Sequence, residues 1–302
     1  MNITNPKVAG QTDAHLQNLL ALMPKKNPTE YLIRGTKTVP EWEGVKKHFQ
    51  GIAPMNGSES IIGQISASAD TWWCASFIER SIGTTGIVSD VFGSEHYDHA
   101  GGIQRLGDVL PVPLEKSGSD VVTVAFYDVT NANTTYMYEY GYRGKASGVA
   151  ITNYCDSDHN EQAVMLVYEY DPKRFKIYRT AADAVTSRSW EHVGETNAIP
   201  DPARLDDQFQ SFGLVTQTFN DTDTVYLLAF RENEAIVLCT MDTGSNYGHL
   251  TYVETYEGFD GSQWRYGVGL QICGPSKLRI FGCSEDPTGD TDDYSFPLYV
   301  WG

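Results

Sequence analysis

A five-residue phrase returns five times along this chain, each copy ending in glycine followed by an aliphatic residue and opening a strand-like run. The copies are His48-Phe49-Gln50-Gly51-Ile52, His99-Ala100-Gly101-Gly102-Ile103, Lys145-Ala146-Ser147-Gly148-Val149, Gln210-Ser211-Phe212-Gly213-Leu214 and Trp264-Arg265-Tyr266-Gly267-Val268. Successive glycines lie 51, 46, 65 and 54 residues apart. A period near 50 with several strand-like runs per period is how a propeller blade reads in sequence. The glycine has a physical use there, because inner strands converge on a narrow axis where a side chain at every position would not fit.

Each period supplies further strands. The second offers Val109 to Glu115, Val121 to Val129 and Thr134 to Tyr142, rich in β-branched and aromatic residues. The third offers Ala163 to Tyr170 and Phe175 to Thr180, and the fourth Thr224 to Phe230, Ala235 to Met241 and His249 to Tyr256. Such lengths suit meandering antiparallel sheets of about four strands. Runs such as Tyr226-Leu227-Leu228-Ala229-Phe230 are apolar continuously, which implies burial on both faces.

The last period, with Lys277 to Cys283 and Ser295 to Gly302, is one strand short, while Tyr31 to Val39 is one strand too many. Pairing the surplus against Phe296 to Trp301 would close a ring and cover an otherwise open edge. The expectation is therefore an all-β, five-bladed β-propeller of four-stranded antiparallel blades over residues 30–302, closed by an N-terminal strand. A pair of β-sandwiches is the alternative all-β arrangement. Residues 1–29 read as an extension with one short helix, Ala14 to Met23, stopped by Pro24, whose Leu16, Leu19, Leu20 and Met23 recur at helical spacing as in a packed cap. Loss of residues 1–24 is expected to be tolerated better than loss of Tyr31 to Val39.

A net charge of −17 disfavours nucleic acid and anionic lipid as partners, since such binding relies on Lys and Arg. No apolar run of about 18 residues occurs to span a membrane, and Met1 to Gly10 lacks the pattern of a secretory leader. The five cysteines, Cys74, Cys155, Cys239, Cys273 and Cys283, are odd in number, without metal-ligand spacing, and mostly within apolar runs. With Pro275-Ser276 as a hairpin tip, Cys273 would face Leu278 and Cys283 would face Val268, about 17 Å apart along the ribbon. Free thiols and a cytoplasmic location are expected, or secretion if a leader has been removed. Sequons at Asn2, Asn56, Asn133 and Asn220 are too degenerate a pattern to overturn that.

At the second copy, His96-Tyr97-Asp98-His99-Ala100-Gly101-Gly102-Ile103-Gln104, then Leu106 to Glu115, then Phe126-Tyr127-Asp128-Val129, resembles the blade phrase of poorly characterised bacterial β-propeller-like repeat proteins. Their tract runs approximately His-Pro-Gly-Gly-Ile-Gln, a strand ending in Glu, and a strand ending Tyr-Asp-Val, with Ala100 here in place of Pro. The resemblance spans about 35 residues and implies a propeller. Ser94 to Gly102 also looks like the second half of the metallo-β-lactamase zinc motif. Ser94 stands where its first His belongs, His159, His192 and His249 fall in no matching context, and the alternating helices of that fold are missing.

In a propeller, residues at the start of the inner strands point to one axial mouth. The position three before each repeated glycine then forms a ring of His48, His99, Lys145, Gln210 and Trp264, suited to a carboxylate, phosphate or sugar. The alternative is that these side chains only hydrogen-bond neighbouring blades around a water-filled channel. Acid/base candidates are His99 with Asp98 or Glu115. Propeller glycosidases use inner-strand carboxylates, and this ring has none. Acidic groups at Glu285, Asp286, Asp290, Asp292 and Asp293, and at Asp156 with Asp158, lack EF-hand spacing and read as solvated turns, with no metal or cofactor implied. Trp72-Trp73 reads as packing between blades. The expected function is a monomeric module binding a small polar or anionic molecule, a glycan or a protein at the channel mouth. The alternative is a propeller hydrolase or lyase using His99.

Overall fold

The computed structural model describes residues 7–10, 12–36, 47–54, 60–67, 76–81, 85–90, 99–115, 121–130, 135–143, 146–169, 173–197, 199, 209–231, 235–259, 267–283 and 293–302. A short strand β1 (Val8–Ala9) and helix α1 (His15–Leu22) lead into β2 (Thr29–Thr36). Then come β3 (Lys47–Pro54), β4 (Ser60–Ala67), β5 (Ser76–Ser81) and β6 (Thr85–Asp90), followed by β7 (His99–Ala100), β8 (Val109–Glu115), β9 (Val121–Asp128) and β10 (Thr135–Arg143). The next set is β11 (Ala146–Cys155), β12 (Glu161–Glu169), β13 (Arg174–Ala181) and β14 (Glu191–Asn197). After it run β15 (Phe209–Phe219), β16 (Thr222–Arg231), β17 (Ala235–Met241) and β18 (Leu250–Tyr256), and finally β19 (Gly267–Gly274), β20 (Lys277–Cys283) and β21 (Asp293–Trp301).

Hydrogen bonding gathers these strands into four sheets: β7 to β10, β11 to β14, β15 to β18 with β1 added beside β15, and one of eight strands ordered β19-β20-β21-β2-β6-β5-β4-β3. In the last, β2 lies antiparallel to β21 from Thr29↔Val300 to Thr36↔Asp293, and touches β6 in parallel over Arg34 to Thr36. The sheets pack face to face around a shared set of inner strands, which makes the architecture an all-β propeller.

The continuous apolar runs are explained by where alternate residues go. In β16, Tyr226, Leu228 and Phe230 enter a core shared with β17, β19, β20 and α1, whereas Leu227 and Ala229 enter the core shared with β11 to β13. In β12, Val164, Leu166 and Tyr168 face that second core, and Ala163, Met165 and Val167 face a third, which includes Val124 and Phe126 of β9. Each such side chain contributes about 2 kcal/mol on burial, so a strand clad on both faces is a strong anchor.

Local chemistry sets the exceptions. Pro111 and Pro113 of β8 have no N–H to give, and β7 accordingly pairs with it over two residues only, His99↔Glu115 and Ala100↔Leu114. The β15–β16 turn uses Asn220 and Asp221 at φ 49° and 59°, the left-handed pair that tight hairpins need. Across β19 and β20, Cys283 faces Gly267 and Ile272 faces Leu278, with Cys273 in a bulge; this shifts the expected pairing by one residue. Cys155, Cys239, Cys273 and Cys283 are free thiols, and burial pushes that of Cys239 up to about 12.

The N-terminal segment has a larger role than its sequence suggested. Val8 pairs with Gln217 and Ala9 with Thr218 in a parallel bridge to the inner strand β15. Leu16 and Leu20 are fully buried in the core that also holds Val215, Leu278 and Trp301. The Gln217 amide accepts the Leu16 N–H at 2.7 Å and donates to Asp13 O at 2.8 Å. Lys7 forms an ion pair with Asp223 at 2.6 Å. The segment is thus stitched between β15 and the β19–β20 hairpin, where Ala9 N–H reaches Pro275 O at 3.2 Å. Its side chains thus complete the core, as those of a packed cap do.

Candidate functional site

The inner segments run in the same direction. Gly102 and Gly148 form a parallel bridge, with Gly102 N–H donating to Ser147 O at 3.0 Å and Val149 N–H donating to Gly102 O at 2.9 Å. One end of the propeller, here called upper, therefore collects the starts of β3, β11, β15 and β19 and the segment that opens at His99.

The glycines of the recurring phrase close the floor beneath that end. A Cβ built on Gly101 would come within 2.5 Å of Ser147 O, and one on Gly51 within 2.7 Å of Ile103 N. On Gly148 it would meet the Phe212 ring at 2.9 Å, and on Gly213 the Leu270 side chain at 2.9 Å. Gly269, two residues beyond the fifth phrase glycine, stands in the same relation to Ile52 O at 2.3 Å. Backbones approach this closely only where no side chain intervenes.

Gln104 completes the floor. Its side chain is buried; the carbonyl oxygen accepts Ile151 N–H at 2.9 Å and Leu214 N–H at 2.7 Å, while the amide donates to Leu214 O at 2.8 Å. One amide thus ties the second, third and fourth phrase segments together. Thr152 and Thr216 hydroxyls, 3.1 Å apart, and Ser211 Oγ on Val268 O at 3.1 Å add further ties between inner strands. The Gly-Gly-Ile-Gln part of the phrase is a packing device.

Above the floor, the structure places the backbones of His48 in β3, His99 in β7 and Gln210 in β15, all at strand starts. Their side chains and that of Glu115 lie outside the described residues, as do Lys145, Trp264 and Asp98 altogether. Ala146, the neighbour of Lys145, opens β11 at the same end. The shared spacing from glycine is not a shared register, however. The extra residue of a bulge is Gln50 in β3 and Ser147 in β11, but in β15 it is Gln210 itself, between Phe209 and Ser211. A bulge reverses the alternation of faces, so equal sequence offsets do not give equal orientation.

The second strand of each set ends at the same mouth, and this supplies residues that sequence reasoning passed over. His99 stands directly opposite Glu115, Ala146 opposite Glu169, and Phe209 opposite Arg231. Glu169 is fully buried, held by Arg174 and by Lys176 at 2.8 Å, and Arg174 also reaches Glu195 at 2.5 Å. The available signal was a glutamate closing an apolar strand, as Glu115 does. The half-buried Phe209 ring lies tilted against Phe212 at 6.0 Å, and Tyr168 lies 4.6 Å from the same Phe212 ring. The upper end thus carries an aromatic cluster and a compensated charge network.

The acidic turn at Asp156 is explained without a ligand. Its carboxylate accepts N–H groups of Asp158 at 3.0 Å and Asn160 at 2.9 Å, which holds it below the ordinary carboxylate range. Among the described residues no cluster of three His, Cys, Asp or Glu is placed to hold a metal ion. The turn at Glu285, Asp286, Asp290 and Asp292 and the pair Trp72-Trp73 lie outside the described residues. No described helix is long and apolar enough to cross a membrane.

No protein-family model matches this chain. No curated protein matches it in sequence. Among solved structures it resembles a GH62 hydrolase in complex with xylotriose, with a TM-score of 0.50 and 8% identity over 90% of this chain and 97% of that one. A GH43_1 enzyme from Xanthomonas citri gives 0.46 and 11% over 94% and 92%. A fungal lectin from Aleuria aurantia, a six-bladed β-propeller, gives 0.40 and 11% over 81% and 72%. At such identities the likeness is one of fold.

Proposed function

We propose that this chain is a monomeric carbohydrate-binding β-propeller that engages a polar or anionic glycan at the upper mouth through His48, His99, Lys145, Gln210 and Trp264. The observation that carries the reading is the common polarity of the inner strands, which puts the backbones of His48, His99 and Gln210 at one end of one axis. Imidazole, ammonium, amide and indole groups suit a ligand rich in hydroxyl and carboxyl oxygens. The GH62 hydrolase it resembles in fold was crystallised with a xylo-oligosaccharide, which favours a sugar over other polar ligands.

Five blades are part of the proposal. The eight-stranded sheet divides naturally at the short parallel contact of β2 with β6, giving β3 to β6 as one blade and β19 to β21 with β2 as another. In this reading β2 supplies the strand the last period lacks, and the packing of β19 against β3 joins last blade to first. Kinship with the bacterial propeller-like repeat proteins and a cytoplasmic location, consistent with free thiols in the described cysteines, belong to the same proposal.

A second reading is a hydrolase or lyase with His99 as acid/base, favoured by the register that sets His99 against Glu115. The test is titration with xylo-oligosaccharides and fucosides, by calorimetry and product analysis, of the native protein and of Lys145→Glu, His99→Ala and Trp264→Ala. Lys145→Glu should weaken binding of the recognised sugar more than tenfold, about 1.4 kcal/mol, with an unchanged melting temperature. Turnover lost in His99→Ala while binding persists would select the enzyme. Binding unaffected by all three substitutions would remove the site.

A further inference from the structure

At the lower end, opposite the mouth, a cleft of about 290 Å³ lies where the segment after α1 crosses the ends of β20 and β21. Pro24, Asn27 and Pro28 form one wall; Tyr31, Arg279 and Trp301 contribute to the rest. The strand directions fix its place: β19 starts at the upper end and turns into β20 at the lower one, so Arg279, third residue of β20, sits far from His48 and His99. The wall is stiff. Two prolines have fixed φ, and Asn27 holds φ 55° between them, so the cleft is preformed and loses little entropy on binding.

Arg279 is the chemically decisive member. It is half-buried, its cross-strand neighbour is Gln271, and among the described residues no carboxylate lies within ion-pair distance of it. In a chain of net charge −17, an arginine that lines a cleft with no carboxylate in ion-pair distance among the described residues suits an anion brought from outside. The volume is at the low end for small-molecule pockets, which start at about 300 Å³, and Tyr31 adds a hydroxyl-bearing side chain to the lining.

We propose that this cleft binds a small hydroxy-carboxylate of sugar-acid size, its carboxylate on Arg279 and a hydroxyl toward Tyr31. The ligand is either a free sugar acid or the acidic end of a glycan. Calorimetric titration of the full chain with glucuronate, with a glucuronate-terminated disaccharide, with glucose and with inorganic phosphate tests it. Glucuronate should bind at least tenfold tighter than glucose, and Arg279→Gln should abolish that difference without moving the melting temperature. Tyr31→Phe should weaken glucuronate severalfold, and His99→Ala should leave it unchanged, which separates this site from the upper mouth. Tighter binding of the disaccharide assigns the glycan end, and equal binding the free acid. Glucose binding as well as glucuronate, phosphate binding better than either, or Arg279→Gln without effect would overturn the proposal.

Discussion

Replacing Gln104 with Met should cost this protein more than any other single near-isosteric change at the axis. Met matches the length and volume of Gln closely, so the cavity contribution stays small and the loss is of hydrogen bonds alone. The substitution leaves Ile151 N–H, Leu214 N–H and one lone-pair direction of Leu214 O facing a thioether. A buried polar group stripped of its partner costs about 1 to 3 kcal/mol, and three groups served by one amide relax together, which gives about 4 kcal/mol. At about 2 °C per kcal/mol for a chain of this size, the melting temperature should fall by about 8 °C. Urea unfolding followed by circular dichroism should show a lower midpoint with an unchanged slope, since the surface exposed on unfolding is the same. Gln104→Asn, one methylene shorter, cannot span the distance to both strands and should fall between. A loss below about 1 kcal/mol for Gln104→Met would refute the view that this amide holds three inner segments together.

Two other perturbations test the packing of the N-terminal segment. Burial pushes the Asp223 carboxyl up, but Lys7, the Thr218 hydroxyl and Cys155 N–H outweigh it and leave it below its usual 3.8, while Asp223 in turn outweighs burial to raise Lys7 above 10.5. The bridge therefore adds stability above the ordinary carboxylate value and below the ordinary lysine value. It loses that stability as pH falls through the depressed Asp223 value or rises through the raised Lys7 value. Asp223→Ala should cost about 3 kcal/mol near neutrality, with a gap to the native protein that closes at low pH in parallel denaturant titrations. Removing residues 1–24 should cost at least about 5 kcal/mol, because Val8, Leu16 and Leu20 leave a core that they complete. A truncated protein melting within a degree or two of the full chain would refute that packing.

Strand positions were legible because they depend on local spacing. Val109 to Glu115, Ala235 to Met241 and Lys277 to Cys283 coincide with β8, β17 and β20. The apolar run Tyr226 to Phe230 announced burial on two faces, and the phrase glycines announced close backbone approach, since only a missing side chain permits it. The weakly patterned β14, with the sequence EHVGETN, went unread because an exposed outer strand needs no apolar alternation.

What tertiary structure alone decided is which distant groups meet. Nothing near Gln104 in the chain says that its amide will serve Ile151 and Leu214, 47 and 110 residues away. Nothing near Asp13 says that a polar extension will hang on Gln217. The bulges at Gln50, Ser147 and Gln210 likewise appear only once strands pair, and each reverses the faces that a count from glycine assumes. A sequence encodes period and burial through neighbours a few residues apart. Register, buried hydrogen-bond partners and clefts such as that beside Arg279 depend on contacts whose partners are chosen by the folded whole.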